Sequence, residues 1–235
     1  MSELVSILSS AALVVLVAVL LRNLLGTAPA PSADASDTAI RDLAAVLQSR
    51  DLTVPRTQDI AVLILTLPDY ATLIRERPLE QVFGAVNLFY RVATEVADRY
   101  KGEVSSLVGG EITILFGRIL PVERPLHVAV LTALEIVERL APDLVKIAPG
   151  CRGASAAINA GPSFSGPVGG EWRRTYTSVG VPVEDAHQLA RTLPPNEVRA
   201  LKSLTARLAE FELAPEGATL RIVKARPAPE APPPA

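Results

Sequence analysis

AINAGPSFSGPVGGEWRRTYTSVG, residues 157–180, is rich in glycine, small residues and β-branched residues, and the rest of the chain is read outward from it. Residues 154–161, ASAAINAG, form an apolar strand; 162–172, PSFSGPVGGEW, a Gly-rich crossing; and 175–180, TYTSVG, a second strand. Upstream, 60–67 is an apolar run of strand length. Pro78 opens a long helix, PLEQVFGAVNLFYRVATEVADRYKG, in which Val82, Val86, Phe89, Ala93 and Val96 recur at helical spacing and Gly102 supplies the stop. LVGGEITILFG, residues 107–117, pairs as a β-hairpin around Gly109 and Gly110. A helix over 125–140 turns Val130, Ala133, Leu134 and Val137 inward, and helices over 183–193 and 196–210 precede a last strand at 220–223. Strands interleaved with helices predict an α/β or α+β fold, a sheet with helices packed on it.

With 235 residues, 49% of them hydrophobic and 20% charged, the chain can bury one good core. A formal net charge of -2 leaves no basic footprint, which argues against nucleic acid as a partner. The single cysteine, Cys151, cannot make an intramolecular disulfide, and two histidines, His127 and His187, do not supply a zinc cluster. Neither histidine has a nucleophile at a recognisable spacing, so both read as structural.

Residues 1–25 read as a transmembrane anchor: 4–21 is a run of 18 residues without a charge, long enough to span a bilayer as a helix. The small residues after it also suit a cleaved signal peptide, but the segment before it holds acidic Glu3 and no Lys or Arg. Arg22, Arg41 and Arg50 follow the run, which predicts a single-pass protein of the inner cell membrane with its globular part in the cytoplasm. Residues 26–36, GTAPAPSADAS, form a flexible Pro/Ala linker. Residues 37–52 form a juxtamembrane helix with Ile40, Leu43 and Leu47 on one stripe, free to dock on its own domain or on a second copy. The folded domain spans 56–225, and 226–235, RPAPEAPPPA, is a disordered Pro-rich tail.

From about Arg56 to Lys224 the chain resembles the class III nucleotidyl cyclase homology domain, the catalytic module of most adenylate and guanylate cyclases. The likeness is strongest in residues 157–180, where Gly161, Gly166, Gly169 and Gly180 fall in register; the long helix and the hairpin at 107–117 add to it. The resemblance implies a ferredoxin-like-derived α+β fold and a dimer. It also implies a reaction in which a 3′-hydroxyl attacks the α-phosphate with the help of two metal ions. Two aspartates hold those metals in the family. In this register they fall on Thr66 and Gly110, neither of which binds a divalent cation as a carboxylate does. The base-selecting lysine falls on Ser106, and its companion on Thr177, a position where the family accepts threonine. The ribose-orienting asparagine falls on Glu184, and the arginine that stabilises the transition state falls on Gln188. The Lys-Gly-Lys turn before the last strand is missing from FELAPEGATLRIVKA.

Glu111 and Asp69 are the remaining candidates for metal ligands. Glu111 should aim away from the pocket, because successive strand residues point to opposite faces, and Asp69 fits the chemistry of a turn. Trp172, Arg173 and Arg174 suit either a solvated hairpin tip or an anchor for a phosphate or a protein partner. GGEI at residues 109–112 also resembles, more weakly, the signature hairpin of diguanylate cyclases. The reading that results is a membrane-anchored, catalytically degenerate cyclase-like subunit without a cofactor, acting as a regulatory, scaffold or partner-binding domain in a homodimer or heteromer. The alternatives are a nucleotide or small-ligand sensor using the former cleft, and a residual cyclase, which alone would call for magnesium or manganese.

Overall fold

A strand buried on both faces organises the domain. The computed structural model describes residues 54–170, 172 and 174–225. Within them β1 (Arg56–Thr66) carries six consecutive buried residues, Ile60 to Leu65, which is why its sequence is uniformly apolar rather than alternating. Leu63 and Leu65 enter the main core, while Ile60, Val62 and Ile64 enter a second, smaller core on the opposite face.

After β1 come α1 (Tyr70–Glu76), α2 (Leu79–Arg99), β2 (Glu103–Val108), β3 (Glu111–Phe116) and α3 (Pro125–Ile147). There follow β4 (Ser155–Gly169), β5 (Arg174–Val179), α4 (Val181–Ala190), β6 (Val198–Leu201), a 3-10 helix (Lys202–Leu208), β7 (Phe211–Glu216) and β8 (Thr219–Ala225). The sheet runs β2-β3-β1-β4-β6-β8-β7, with β5 paired to the outer half of β4. β1 is antiparallel to β3 and β4, and β6 is parallel to β4. α2 and α3 pack on each other over the main core, whereas α4 covers the smaller one against β1 and β4.

This is the expected mixed α+β sheet, with local corrections. Gly102 does not end α2 through its backbone: Lys101 takes the left-handed conformation there, at φ 56°. Gly102 is required by packing, since a Cβ on it would lie 2.8 Å from the Phe116 ring. Val86 is only half-buried on α2, and α3 runs past residue 140, through Pro142, to Ile147. The supposed crossing at 162–172 is mostly the second half of a 15-residue strand, and β4 with β5 forms a projecting hairpin arm. Residues 196–210 are not a helix but β6 followed by the 3-10 turn, with Val198 and Ala200 buried in alternation. α1 and β7 had no expected counterpart, and β7 closes onto β8 through a tight turn at Gly217, where φ is 63°.

Residues 1–53 and 226–235 lie outside the described residues, and with them the anchor, linker, juxtamembrane helix and tail. Among the described residues no helix is long and apolar enough to cross a membrane.

Gly102→Ala is expected to lower stability by about 1–3 kcal/mol through overpacking against Phe116 and Ile114. Gly170→Ala, with nothing within 4 Å of its Cβ, should change the denaturation midpoint far less. Equal midpoints for the two variants would contradict this packing.

Candidate functional site

A cleft of about 630 Å³ opens where β1 ends and the β2–β3 hairpin turns, lined by Thr66, Tyr70, Gly110, Glu111, Arg152 and Arg191 among others. β1 delivers Thr66 directly opposite Glu111. The turn after β1 then folds back over the hairpin tip: the Leu67 amide donates to the Gly110 carbonyl at 2.8 Å, and the Tyr90 hydroxyl donates to the Gly109 carbonyl at 2.9 Å.

Tyr70 closes this arrangement. A Cβ on Gly110 would lie 2.7 Å from both Cβ and Cγ of Tyr70, and a Cβ on Gly109 would lie 3.0 Å from its ring. Gly109 also holds φ at 57°, a conformation that favours glycine. Where the family resemblance places a carboxylate, the space is therefore occupied, and the clash involves atoms that even Tyr70→Ala would partly leave behind. Thr66, which lines the same cleft, offers a neutral hydroxyl. Residues 66 and 110 thus do not fit a pair of divalent cations, and among the described residues no group of three or more His, Cys, Asp or Glu is placed to hold a metal ion.

The two substitute acids are both engaged. Asp69 accepts from the Arg152 backbone amide at 3.0 Å and from its Nη2 at 2.7 Å, pinning the start of α1 to the loop before β4. Burial pushes the Asp69 carboxyl up, but the hydrogen bonds and charge of Arg152 outweigh it and hold the carboxyl below its ordinary value. Glu111, contrary to expectation, lines the cleft. Gly110 belongs to the turn, so strand alternation cannot be counted from it; paired opposite Thr66, Glu111 shares that residue's face. His187 Nδ1 on α4 lies 3.1 Å from Glu111 Oε1.

The remaining predicted positions are not gathered here. Ser106 is exposed on β2, while Glu184 and Gln188 are exposed on α4, where Gln188 Nε2 donates to Glu184 Oε1 at 3.1 Å. Thr177 sits half-buried on β5 opposite Gly166. Trp172 is 97% exposed at the arm's tip and Arg174 is exposed at the start of β5, whereas Arg173 lies outside the described residues. Sequence reasoning missed Tyr70 and Arg152. The signal for Tyr70 was the double glycine itself, two side chains missing at a place that an aromatic ring fills.

Gly110→Asp is expected to destabilise the domain by about 1–3 kcal/mol through the collision with Tyr70, and the pair Thr66→Asp, Gly110→Asp should still show no manganese-dependent rise in melting temperature. A folded-state carboxyl held low contributes stability above its unfolded pKa of about 3.9 and loses it as pH falls through the lower folded value. Asp69→Asn should therefore lower the denaturant midpoint at neutral pH and flatten the acid-side fall in stability; a variant with the wild-type pH profile would remove the role given to Arg152.

No protein-family model matches the chain. An uncharacterized protein of Mycobacterium tuberculosis, Rv1319c, is 27% identical over 143 residues, covering 61% of this chain and 26% of that protein. A second one, Rv1320c, is 28% identical over 144 residues, covering 61% and 24%. The chain thus spans about a quarter of the length of the curated relatives it matches. Among solved structures it is similar to the guanylyl cyclase Cya2, with a TM-score of 0.64 at 18% identity over 72% of this chain and 94% of that one. The adenylyl cyclase CyaB from P. aeruginosa gives 0.64 at 16% identity over 74% and 97%. The catalytic core of a rhodopsin-guanylyl cyclase solved with ATPalphaS gives 0.63 at 16% identity over 74% and 100%. Residues 56–225 have the fold of class III adenylyl and guanylyl cyclase catalytic domains.

Proposed function

We propose that this chain is a membrane-anchored, cyclase-fold subunit that works by binding a protein partner rather than by making a cyclic nucleotide. The observation that carries this reading is the closed hairpin tip: Tyr70 occupies the space where a carboxylate would project from residue 110, and the last residue of β1 is the neutral Thr66. A cyclisation that needs two metals lacks an acidic cradle there. On β2 and α4, Ser106, Glu184 and Gln188 supply no cation toward a phosphate.

The arm offers a surface for this. Phe164 and Val179 are directly paired across β4 and β5, and they are 55% and 65% exposed. Val168 on the same face is exposed as well, and Pro55 lies against Gly166 between them. A largely exposed apolar sheet face of this kind suits a protein interface. The cyclase domain of the RhoGC fusion protein, similar in fold, has been solved both as a dimer and as a monomer. Here the face is assigned to a second copy or to another chain of the same fold, with the apolar run at 4–21 holding the assembly at the inner membrane. Such a subunit would regulate by occupying a partner's face. A second reading, a small-ligand sensor, draws on the cleft, whose volume is within the usual range of ligand pockets. It requires thermal stabilisation by a nucleotide without metal.

Full-length protein in detergent micelles, incubated with ATP or GTP and manganese, is expected to give no cyclic product above a blank by mass spectrometry. Product that disappears with Glu111→Ala would overturn the proposal. Phe164→Arg with Val179→Arg should reduce self-association or partner capture in analytical ultracentrifugation without lowering the melting temperature, because both side chains are largely exposed.

A further inference from the structure

The arm meets the body of the domain through a buried cation that neither the cleft nor the docking face uses. Pairing between β1 and β4 ends at Arg56 with Ser165, so beyond that point β4 has only β5 as a ladder partner, from Gly166 with Thr177 out to Gly169 with Arg174. A two-stranded ribbon is marginal by itself, so contacts at its root must fix its angle. Two such contacts lie on opposite faces. On the face of Phe164 and Val168, Pro55 approaches Gly166 so closely that a Cβ there would lie 2.7 Å from the proline Cβ. On the other face, shared by Ser165, Ser178 and Tyr176, stands Arg118.

Arg118 follows β3 after Gly117, whose φ of 80° turns the chain. Its side chain is only 3% exposed. Glu103 at the start of β2 offsets the cost of burying that charge: Nε donates to Oε2 at 3.0 Å, and Nη2 donates to Oε1. Nη1 donates to the Tyr176 carbonyl at 3.2 Å, and the guanidinium carbon lies 5.3 Å from the centroid of the Tyr176 ring. Pro167, directly opposite Tyr176 on β4, has no N–H to offer that carbonyl. One planar side chain thus ties the start of β2 and the end of β3 to the middle of β5. Moving the arm off the body would break a charge-assisted hydrogen bond and a cation–π contact at a cation with little access to water.

We propose that Arg118 is the positioning residue of the arm: its fork on Glu103 and Tyr176 fixes the angle at which Phe164, Val168 and Val179 are presented to a protein partner. The consequence for docking rests on the partner-binding reading, whereas the latch itself belongs to the single chain. A ribbon free to swing would present its apolar face in many poses, and ordering it on contact would weaken binding; an arm held in advance avoids that loss.

Double electron–electron resonance between nitroxides at Asp98→Cys, exposed on α2, and Trp172→Cys, exposed at the arm's tip, reads the arm's angle in the full chain in detergent micelles. Unlabelled chains in excess confine the reading to distances within one chain, and native Cys151 is buried. One narrow distance is expected with Arg118 in place, and a broadened distribution in Arg118→Met with Glu103→Gln, which removes both charges and strands neither. Arg118→Lys keeps a cation beside Glu103 without the planar fork and should broaden the distribution to a smaller extent; it decides the matter if the double variant loses its cooperative melting transition. A distribution as narrow as the parent's in the folded variant overturns the latch. In unlabelled proteins, sedimentation should show weaker self-association although Phe164 and Val179 are untouched; broadening with undiminished association overturns the link from arm angle to docking. If Phe164→Arg with Val179→Arg leaves association unchanged, the partner-binding reading fails by itself, and the distances still judge the latch.

Discussion

Burial of β1 on both faces is the constraint from which the rest follows. Its six enclosed residues leave no interior position for a charge, so polar chemistry near this strand must sit at its ends. At the C-terminal end the first residue to escape full burial is Thr66, followed by the turn that carries Asp69 and Tyr70. Whatever that turn does decides what the cleft can bind. Here it closes on the hairpin: the Leu67 amide is tied to the Gly110 carbonyl and Tyr70 lies on both glycines.

The closure also explains how each charge near the cleft is used. Asp69 cannot serve as a ligand because it anchors the turn through Arg152, and Glu111 faces the cleft but meets His187. Acids in a cleft of this fold suggest catalysis only until their partners are identified. With the partners named, both acids are cross-links, one between α1 and the loop before β4, the other between β3 and α4. They hold the cleft's walls in place, a role suited to a binding surface as much as to an active site.

Long periodic elements were legible in the sequence: β1 from its unbroken apolar run, α2 from its spacing, the β2–β3 hairpin from Gly109 and Gly110. The errors arose where two periods compete over a short segment. In 196–210, Leu201, Leu204 and Leu208 imitate a helical stripe, but Val198 and Ala200 alternate, and pairing beside β4 fixes the strand. A three-residue period then continues in the 3-10 turn, where it is nearly indistinguishable from 3.6. Glu111 was misplaced because alternation was counted from a turn residue, although the cross-strand register sets the face. For the site, the neutral residues at 66 and 110 could be read from residue type alone. That a side chain at 110 would meet Tyr70 required coordinates, since only spatial contact reveals it.

Neutral residues at 66 and 110 and apolar groups exposed on the arm are subject to different physical demands. A metal site depends on a few atoms held within tenths of an ångström, and one substitution abolishes it. An apolar sheet face depends on summed area, so single changes erode it slowly. Phe164, Val168 and Val179 are exposed together on the arm, so their contribution to any contact would be one of summed area. The fold itself does not require that exposure: Ser165 and Ser178 on the arm's other face are buried and hydrogen-bonded to each other, so the hairpin has a means of holding together without Phe164 and Val179. Phe164 and Val179 are also direct cross-strand partners, so the same side chains that stabilise the hairpin give it an exposed apolar face.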